Sequence, residues 1–497
     1  MKPIMFVGTA SDVGKSTITA GFCRLFKQDG YNPAPFKAQN MSLNSYATPE
    51  GFEIGRAQAV QAEAAGIACH TDMNPVLLKP TSDQVSQVIV DGKVLGNQTA
   101  FEYFNSPDRN QLFQRALDAY QRLSARYHPI VIEGAGSISE LNLKQRDITN
   151  MRIALHSGAD TYLIADIDRG GVFGSIYGTI ELLSPEERAL IKGIIINKFR
   201  GDARLFDDGR KILEDLTKVP VLGVLPYFRD IFIEEEDSVS LDRKRNRMAD
   251  NKINIAIILL RRMSNFTDFA VLEHDSRVNV CYTNNPAEIE QADIIIIPGS
   301  KNTISDLTDL KRNGVAQAIR QAHKNKKTII GICGGYQMLG QSVEDPQHVE
   351  GEVEYASGLG LLPVKTVLLG EKTTQQCQFR YRQSEAICQG YEIHMGETVP
   401  TGASSPLNTV SDHSTDGYWL NDQCWGTYMH GILDNSAVVE DLLSTVQTAV
   451  DKSALTGIHA GPFDYQTFKQ QQYDRLADWL REYLDIPYVY RSLELMS

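Results

Sequence analysis

Short apolar runs recur along the first half of the chain, as PIMFVG, PIVIEG, TYLIAD, GIIINK and VPVLGVLP, with helical stretches between them. This alternation is the pattern of parallel strands buried between helices. After the first run, Ile18, Phe22, Leu25 and Phe26 fall on one helical face and Gly30 supplies a stop, so the chain opens as strand, loop and helix. From residue 231 to 252 the text becomes IFIEEEDSVSLDRKRNRMADNK, charged and poor in periodic apolar positions, which predicts a linker. A second alternating series, INIAIILL, ADIIIIPGS and KTIIGICGG, predicts another α/β unit reaching to about residue 435. The remainder, with FDYQTFKQQQYDRLADWLREYL, reads as helical. The expected fold class is therefore α/β, with two doubly wound domains at 1–230 and 253–435, a linker at 231–252 and a helical tail at 436–497.

Composition narrows the class of partner. A chain of 497 residues is too long for one ordinary core, and 42% hydrophobic with 22% charged residues is the balance of a globular protein. The formal net charge of −13 works against binding a phosphate backbone, so nucleic acid is not an expected partner. No run approaches the ~20 apolar residues of a membrane span, and MKPIMFVGTAS is interrupted too soon for a signal peptide, so the expected compartment is the cytoplasm. Cysteines 23, 69, 281, 333, 377, 388 and 424 form no C-x-x-C pair and are expected to be reduced.

Two glycine-rich turns carry candidate chemistry. In GTASDVGKST, Gly14, Lys15 and Ser16 form the G-K-[ST] end of a phosphate loop, with a strand before it and a helix after. Backbone N–H groups of Gly8, Thr9, Asp12, Val13, Gly14 and Thr17 would surround an anion, Lys15 adds a point charge, and the Ser16 hydroxyl suits Mg²⁺. The spacing departs from the common form, since Thr9 stands where the first glycine is usual and Gly8 lies one residue earlier. Glu133 ends the PIVIEG strand, where ligands of parallel sheets gather, and is the candidate metal carboxylate. Asp166 and Asp168 share that position on another strand and read equally as helix caps. Asn197 and Lys198 stand where an adenine base would be met, although an Asn at a strand end also makes turns.

In GICGG, Cys333 follows a strand and is flanked by glycines. A sharp strand-to-helix turn exposes the side chain at its apex and needs neighbours without Cβ, and the helix start favours a thiolate and offers N–H groups to an oxyanion. A thiol nucleophile calls for a base, for which His430 in CWGTYMHGIL and His394 in GYEIHMGET are the candidates. Gly299 and Ser300 in IPGSKNT follow a strand and are candidate glutamine contacts or a plain turn.

These segments carry resemblances. Gly8 to Ser16 together with Glu133-Gly134-Ala135-Gly136 resembles the dethiobiotin synthetase type of P-loop enzyme, which activates a carboxylate with ATP. GICGGYQMLG with a distant histidine is similar to class I glutamine amidotransferases, a resemblance that makes Cys333 the nucleophile and His430 its base. FKAQNMSLNS, RDITNM, ADIDRGGVFGS and NKFRGD resemble the cobyric acid synthase family from residue 1 through the second domain. The resemblance implies that ATP and Mg²⁺ turn a carboxylate into an acyl phosphate and that ammonia from L-glutamine displaces the phosphate. It implies a corrinoid substrate, adenosylcobyrinic acid a,c-diamide, whose b, d, e and g carboxylates are amidated to adenosylcobyric acid in cobalamin biosynthesis, with Asp147 near the acceptor or simply capping the next helix.

Two departures are visible. Gln39-Asn40-Met41 replaces an acidic motif of the related cobyrinate a,c-diamide synthases, which remain the alternative within the enzyme class. His430 is followed by Gly431-Ile432, without the Glu two residues on that many class I members carry, which leaves Asp434 or a backbone carbonyl to orient the ring. That gap also keeps open a P-loop ATPase binding module with an inactive glutaminase-like domain. A partitioning-type ATPase is disfavoured because Ala10 stands where its signature lysine belongs.

Overall fold

The computed structural model describes residues 1–106, 109–228, 230–234, 248–249, 251–446 and 463–494. Of the expected linker, residues 235–247 and 250 lie outside the described residues, as do 447–462 and 495–497 of the expected tail.

Each apolar run of the first half is a buried strand. Six strands form a parallel sheet in the order Val221–Pro226, Ile191–Phe199, Asp160–Asp166, Ile4–Gly8, Ile130–Glu133 and Ala34–Phe36. Ile4, Met5, Phe6 and Val7 are fully buried, as residues covered on both faces must be. The order reverses at Ile4–Gly8, and the crevice at such a reversal is where doubly wound sheets hold ligands. Register completes the placement: Phe6 pairs with Glu133, Gly8 with Ile164 and Asp166 with Asn197, so the candidate residues share one carboxyl edge.

The second sheet runs Val278–Thr283, Ile253–Ile258, Ile294–Ile297, Thr328–Ile332 and Cys424–Thr427, all parallel, with Tyr418–Asn421 antiparallel at its edge. Two further pieces escape the sequence reading, a mixed sheet and an antiparallel hairpin. One is a four-stranded sheet built from Gln39–Met41, Val76–Pro80, Val85–Val90 and Lys93–Thr99, and the other is a long hairpin of Val364–Tyr381 against Ile387–Pro400.

The tail does not stand apart. Helix Ser436–Ser444 packs into the second domain's core, but Tyr465–Tyr483 and Ile486–Ser492 return to the first sheet. Leu476, Leu480 and Val489 join Phe22 and Phe26 of the helix Lys15–Gln28 in one core, and Arg24 of that helix bonds Asp474 at 2.7 Å. Among the described residues no helix is long and apolar enough to cross a membrane.

The first half of the chain meets the hairpin of the second across a seam that mixes aromatic packing with a buried ion cluster. Tyr46 packs its ring against Tyr391 of the hairpin at 4.5 Å between centroids. Glu53, 1% exposed, accepts from Lys79 at 2.8 Å and from Lys372 of the hairpin. Burial pushes the Glu53 carboxyl up, and the two lysines more than offset this, so it stays ionised. Removing one partner of such a cluster leaves uncompensated charge in the interior. Glu53→Ala is therefore expected to lower unfolding free energy by about 3–5 kcal/mol, read as a fall in the urea midpoint at neutral pH.

Candidate active site

The phosphate loop leaves the strand Ile4–Gly8 and enters the helix Lys15–Gln28 through Gly14, whose φ of 102° is left-handed and suits glycine. A side chain there would also strike the Asn197 amide, whose Nδ2 lies 2.2 Å from where the Cβ would stand. Asn197, expected to meet a base, donates to Val13 O at 2.7 Å and accepts from Lys198 N–H at 2.8 Å, so it props the loop from below. Lys198 reaches Asp12 O and pairs with Asp166 at 3.0 Å. Asp168 is held by a two-pronged bond from Arg200, at 2.6 and 3.0 Å. Both aspartates are thus engaged by basic side chains.

Lys15 is 7% exposed and donates to Ala10 O at 3.0 Å and Gly136 O at 2.9 Å. Burial, together with neighbouring Lys37, lowers its pKa to about 8, a shift that an arriving phosphate would reverse. Ser16 Oγ donates to Glu133 Oε1 at 2.8 Å, and this hydroxyl-carboxylate pair is the hard-oxygen donor set that Mg²⁺ takes alongside phosphates. Among the described residues no group of three or more His, Cys, Asp or Glu is arranged for a metal, so phosphate oxygens and water would complete the shell. Gly8 lies beside the Lys15 ammonium, Thr9 N–H is bonded to Ile164 O at 3.0 Å, and Thr17 stands in the first turn of the helix.

Two residues here were missed by sequence reasoning. Lys37 bonds Glu133 Oε1 at 2.8 Å, and Gln61 donates to Glu133 Oε2 at 2.6 Å. The signal for Lys37 was its position after the strand Ala34–Phe36, because Phe36 pairs with Ile132 and so aligns the next residues. Nothing marks Gln61, which lies in an alanine-rich helix, Arg56–Ala65. Asp147 accepts from the Thr149 and Asn150 N–H groups at 2.7 and 3.1 Å, the capping geometry weighed above. Asn150 in turn bonds both polar groups of the Ala135 backbone, at 2.8 and 3.0 Å, and so fixes the turn after Glu133.

The second site stands at the carboxyl edge of the other sheet. Cys333 sits between the strand Thr328–Ile332 and the helix Gly334–Leu339 at φ 51° and ψ −111°, an unfavourable backbone for any residue with a Cβ. Its neighbours must be small: a Cβ on Gly335 would come within 1.9 Å of Ile297 O, and one on Gly334 within 2.7 Å of Ser300 N. The tight turn and the glycines therefore present a strained thiol on a rigid apex, as the sequence predicts.

His430, 1% exposed, lies against Cys333. Its Nδ1 bonds Asp268 Oδ2 at 2.7 Å, and Asp268 Oδ1 accepts from Gly431 N–H at 3.0 Å. Burial disfavours the charged ring, but Asp268 and Cys333 outweigh it and raise the His430 pKa to about 10. The orienting carboxylate is thus Asp268, and neither Asp434 nor a backbone carbonyl fills that place. Asp268 lies far upstream in the short turn Phe266–Phe269, where no motif announces it. His394 is stacked on Tyr428 at 3.7 Å and bonds Gly396 O at 3.0 Å, and burial lowers its pKa to about 4.

Gly299 lies beside the His430 ring, with Cε1 3.4 Å from its ideal Cβ position. Ser300 packs its backbone on Gly334, while its hydroxyl donates to Asp306 at 2.6 Å and accepts from Asn302 N–H at 3.0 Å. Both line the thiol's turn, and the Ser300 hydroxyl is committed to that turn. Cys333, His430 and Asp268 together have the geometry of a nucleophile, a base and its orienting acid.

Comparison with known proteins finds the same two halves. Residues 4–241 match the CobQ/CobB/MinD/ParA nucleotide binding domain, and residues 254–438 the CobB/CobQ-like glutamine amidotransferase domain. The chain is 61% identical to a cobyric acid synthase of Parabacteroides distasonis, with 99% of each covered. It is 58% identical to a cobyric acid synthase of Bacteroides fragilis, over 99% of this chain and 98% of that one.

Asp268→Asn keeps the shape and removes the charge. Glutamate release at saturating glutamine should fall by about 10²–10⁴-fold, measured by a coupled assay. Because the folded pKa of His430 is raised, its stabilising contribution is full below about 6.5 and is lost as pH rises through about 10. The stability difference between wild type and Asp268→Asn should accordingly shrink between those limits in urea titrations.

Proposed function

The chain belongs to the cobyric acid synthase family, and on that premise we propose that it uses ATP, Mg²⁺ and L-glutamine to amidate the b, d, e and g carboxylates of adenosylcobyrinic acid a,c-diamide. The product is adenosylcobyric acid, an intermediate of cobalamin biosynthesis, and the compartment is the cytoplasm. The observation that carries the reading is one chain holding a phosphate loop and a thiol-imidazole-carboxylate array, each at the carboxyl edge of its own sheet.

In the second domain Cys333 Sγ attacks the glutamine side-chain carbonyl while His430 carries the thiol proton, held in orientation by Asp268. His430 then gives that proton to the leaving nitrogen, ammonia departs, and water hydrolyses the thioester to glutamate. N–H groups at the start of the helix Gly334–Leu339 are the donors available to the oxyanion.

In the first domain the backbone from Gly8 to Ser16 and the Lys15 ammonium hold the phosphates of ATP. Mg²⁺, held by Ser16 and Glu133, would neutralise the charge that builds on the phosphates during transfer. Lys37 beside Glu133 brings a second cation to the same edge. The acceptor carboxylate takes the terminal phosphoryl group, and ammonia displaces phosphate to leave the amide.

Purified protein given ATP, Mg²⁺, glutamine and the a,c-diamide should yield a ladder of products, each lighter than the last by the difference between a hydroxyl and an amino group, as successive carboxylic acids become amides, followed by mass spectrometry. Cys333→Ala should abolish this with glutamine and retain it with ammonium. Lys15→Ala should abolish both, since the activation step needs the phosphates held. Amidation without ATP would overturn the reading.

A further inference from the structure

The segment that follows Ser300 carries charge that the thiol chemistry does not use. Gly299–Ser300 pairs with Met263–Ser264 as a two-stranded ribbon, which a bond from Lys301 N–H to Arg262 O at 2.9 Å extends. The helix Thr303–Arg312 begins two residues later. This segment is laid on the turn of the thiol: a Cβ on Gly334, the residue after Cys333, would meet Ser300 N at 2.7 Å and Thr303 Oγ1 at 3.3 Å. Lys301 lies between those two residues in the chain and is 7% exposed.

Burying an ammonium is costly unless an anion answers it. Among the described residues the Lys301 side chain has neither an ion pair nor a hydrogen bond. Glu53 acts on it, but that carboxylate is already bonded to Lys79 at 2.8 Å and to Lys372. Glu350 also acts on it, and there Oε2 accepts from Thr303 N–H at 2.6 Å. Lys79, Lys372 and Lys301 thus stand with Glu53 and Glu350, three cations to two carboxylates. Glu350 is fixed in place, because Asp345 accepts from the Val349 and Glu350 N–H groups at 2.7 and 2.9 Å and Asn302 Nδ2 donates to Glu350 O at 3.0 Å. Burial lowers the Lys301 pKa, against the pull of Glu350 and Cys333, and burial pushes the Glu350 carboxyl up to about 7. Each group would regain its charged form with a ligand of opposite sign.

We propose that Lys301 and Glu350 form a zwitterion site beside Cys333, in which Lys301 takes the α-carboxylate of L-glutamine and Glu350 its α-ammonium. The inference deepens the function proposed above and rests on it. The amide carbon of glutamine is three carbon–carbon bonds, about 4 Å, from its α-carbon, so the groups that read the amino-acid head must come from the segments packed on the thiol's turn. Residues 299–303 are such a segment, and Thr303 brings Glu350 to it. Capping of the helix Thr303–Arg312 accounts for one oxygen of Glu350 but gives Lys301 no role. Neutralising Glu53 gives it none either, since two lysines already do so. A buried charge that only the correct ligand satisfies is also the device that rejects ligands lacking that group.

Three amides test the proposal in the complete reaction with Mg·ATP and the a,c-diamide, with ammonia release as the readout: L-glutamine, γ-aminobutyramide, which lacks the α-carboxylate, and glutaramate, which lacks the α-ammonium. Wild type should prefer glutamine to each analogue by at least about 10²-fold in kcat/KM. Lys301→Met should raise the glutamine KM by about 10–100-fold with the loss falling on KM rather than kcat. It should lose the preference over γ-aminobutyramide and keep the preference over glutaramate, and Glu350→Gln should show the converse. Wild type that accepts γ-aminobutyramide as well as glutamine overturns the proposal without any variant. A Lys301→Met protein that keeps its preference, or that slows equally on all three amides as a merely structural lysine would make it do, overturns it too. Should that variant not fold, by its urea midpoint, Lys301→Gln carries the same arm and the wild-type comparison stands by itself. Wild type that releases no ammonia from glutamine would sink the glutaminase reading and this inference with it, whereas the outcomes above sink the inference in an active glutaminase.

Discussion

Glu53 and its two lysines fix the relation between the halves. A carboxylate buried to this degree is tolerable only where Lys79 from its own domain and Lys372 from the hairpin both reach it, which happens in one docking geometry. Apolar contact alone, such as Tyr46 on Tyr391, would permit sliding. A buried ion cluster is intolerant of it, since any shift strands a charge. The contacts of Asn44 with Phe266 N–H and of Tyr46 with Tyr391 are set by the same constraint.

The core strands and both glycine-rich turns were legible because each follows from a local rule. Apolar runs bounded by turns make buried strands, a lysine after Gly14 at a helix start makes a phosphate loop, and glycines around Cys333 mark a turn too tight for side chains. His430 was legible through family resemblance, since by spacing alone His394 competed. What stayed hidden depends on contacts between distant segments. Asp268 becomes the orienting acid only once the turn Phe266–Phe269 is laid against the strand preceding His430, and no period or motif encodes that juxtaposition. Lys37 and Gln61 converge on Glu133 for the same reason. The antiparallel hairpin escaped because its strands alternate irregularly between buried and exposed positions, with a register shift between Val367 and Lys372.

Asn197, a candidate ligand, also shapes the loop that would hold the phosphates. Its amide sits where a Gly14 side chain would be and holds the Val13 carbonyl, so the loop keeps its curvature from beneath. Asp147 and Asn150 do comparable work for the turn after Glu133. The phosphate-loop site thus rests on a floor of short polar side chains bonded to main chain, at Asn197, Asp147 and Asn150.

The return of the tail to the first sheet bears on how the protein is made. Phe22 and Phe26 emerge from the ribosome early, but the residues that cover them, Leu476, Leu480 and Val489, come last. At about 5–20 residues per second, the intervening stretch of roughly 450 residues takes on the order of 20–90 s to synthesise. For that interval the nucleotide domain carries an uncovered apolar face, so its folding cannot close ahead of the rest, and the phosphate loop's own helix is the surface a chaperone would have to shield.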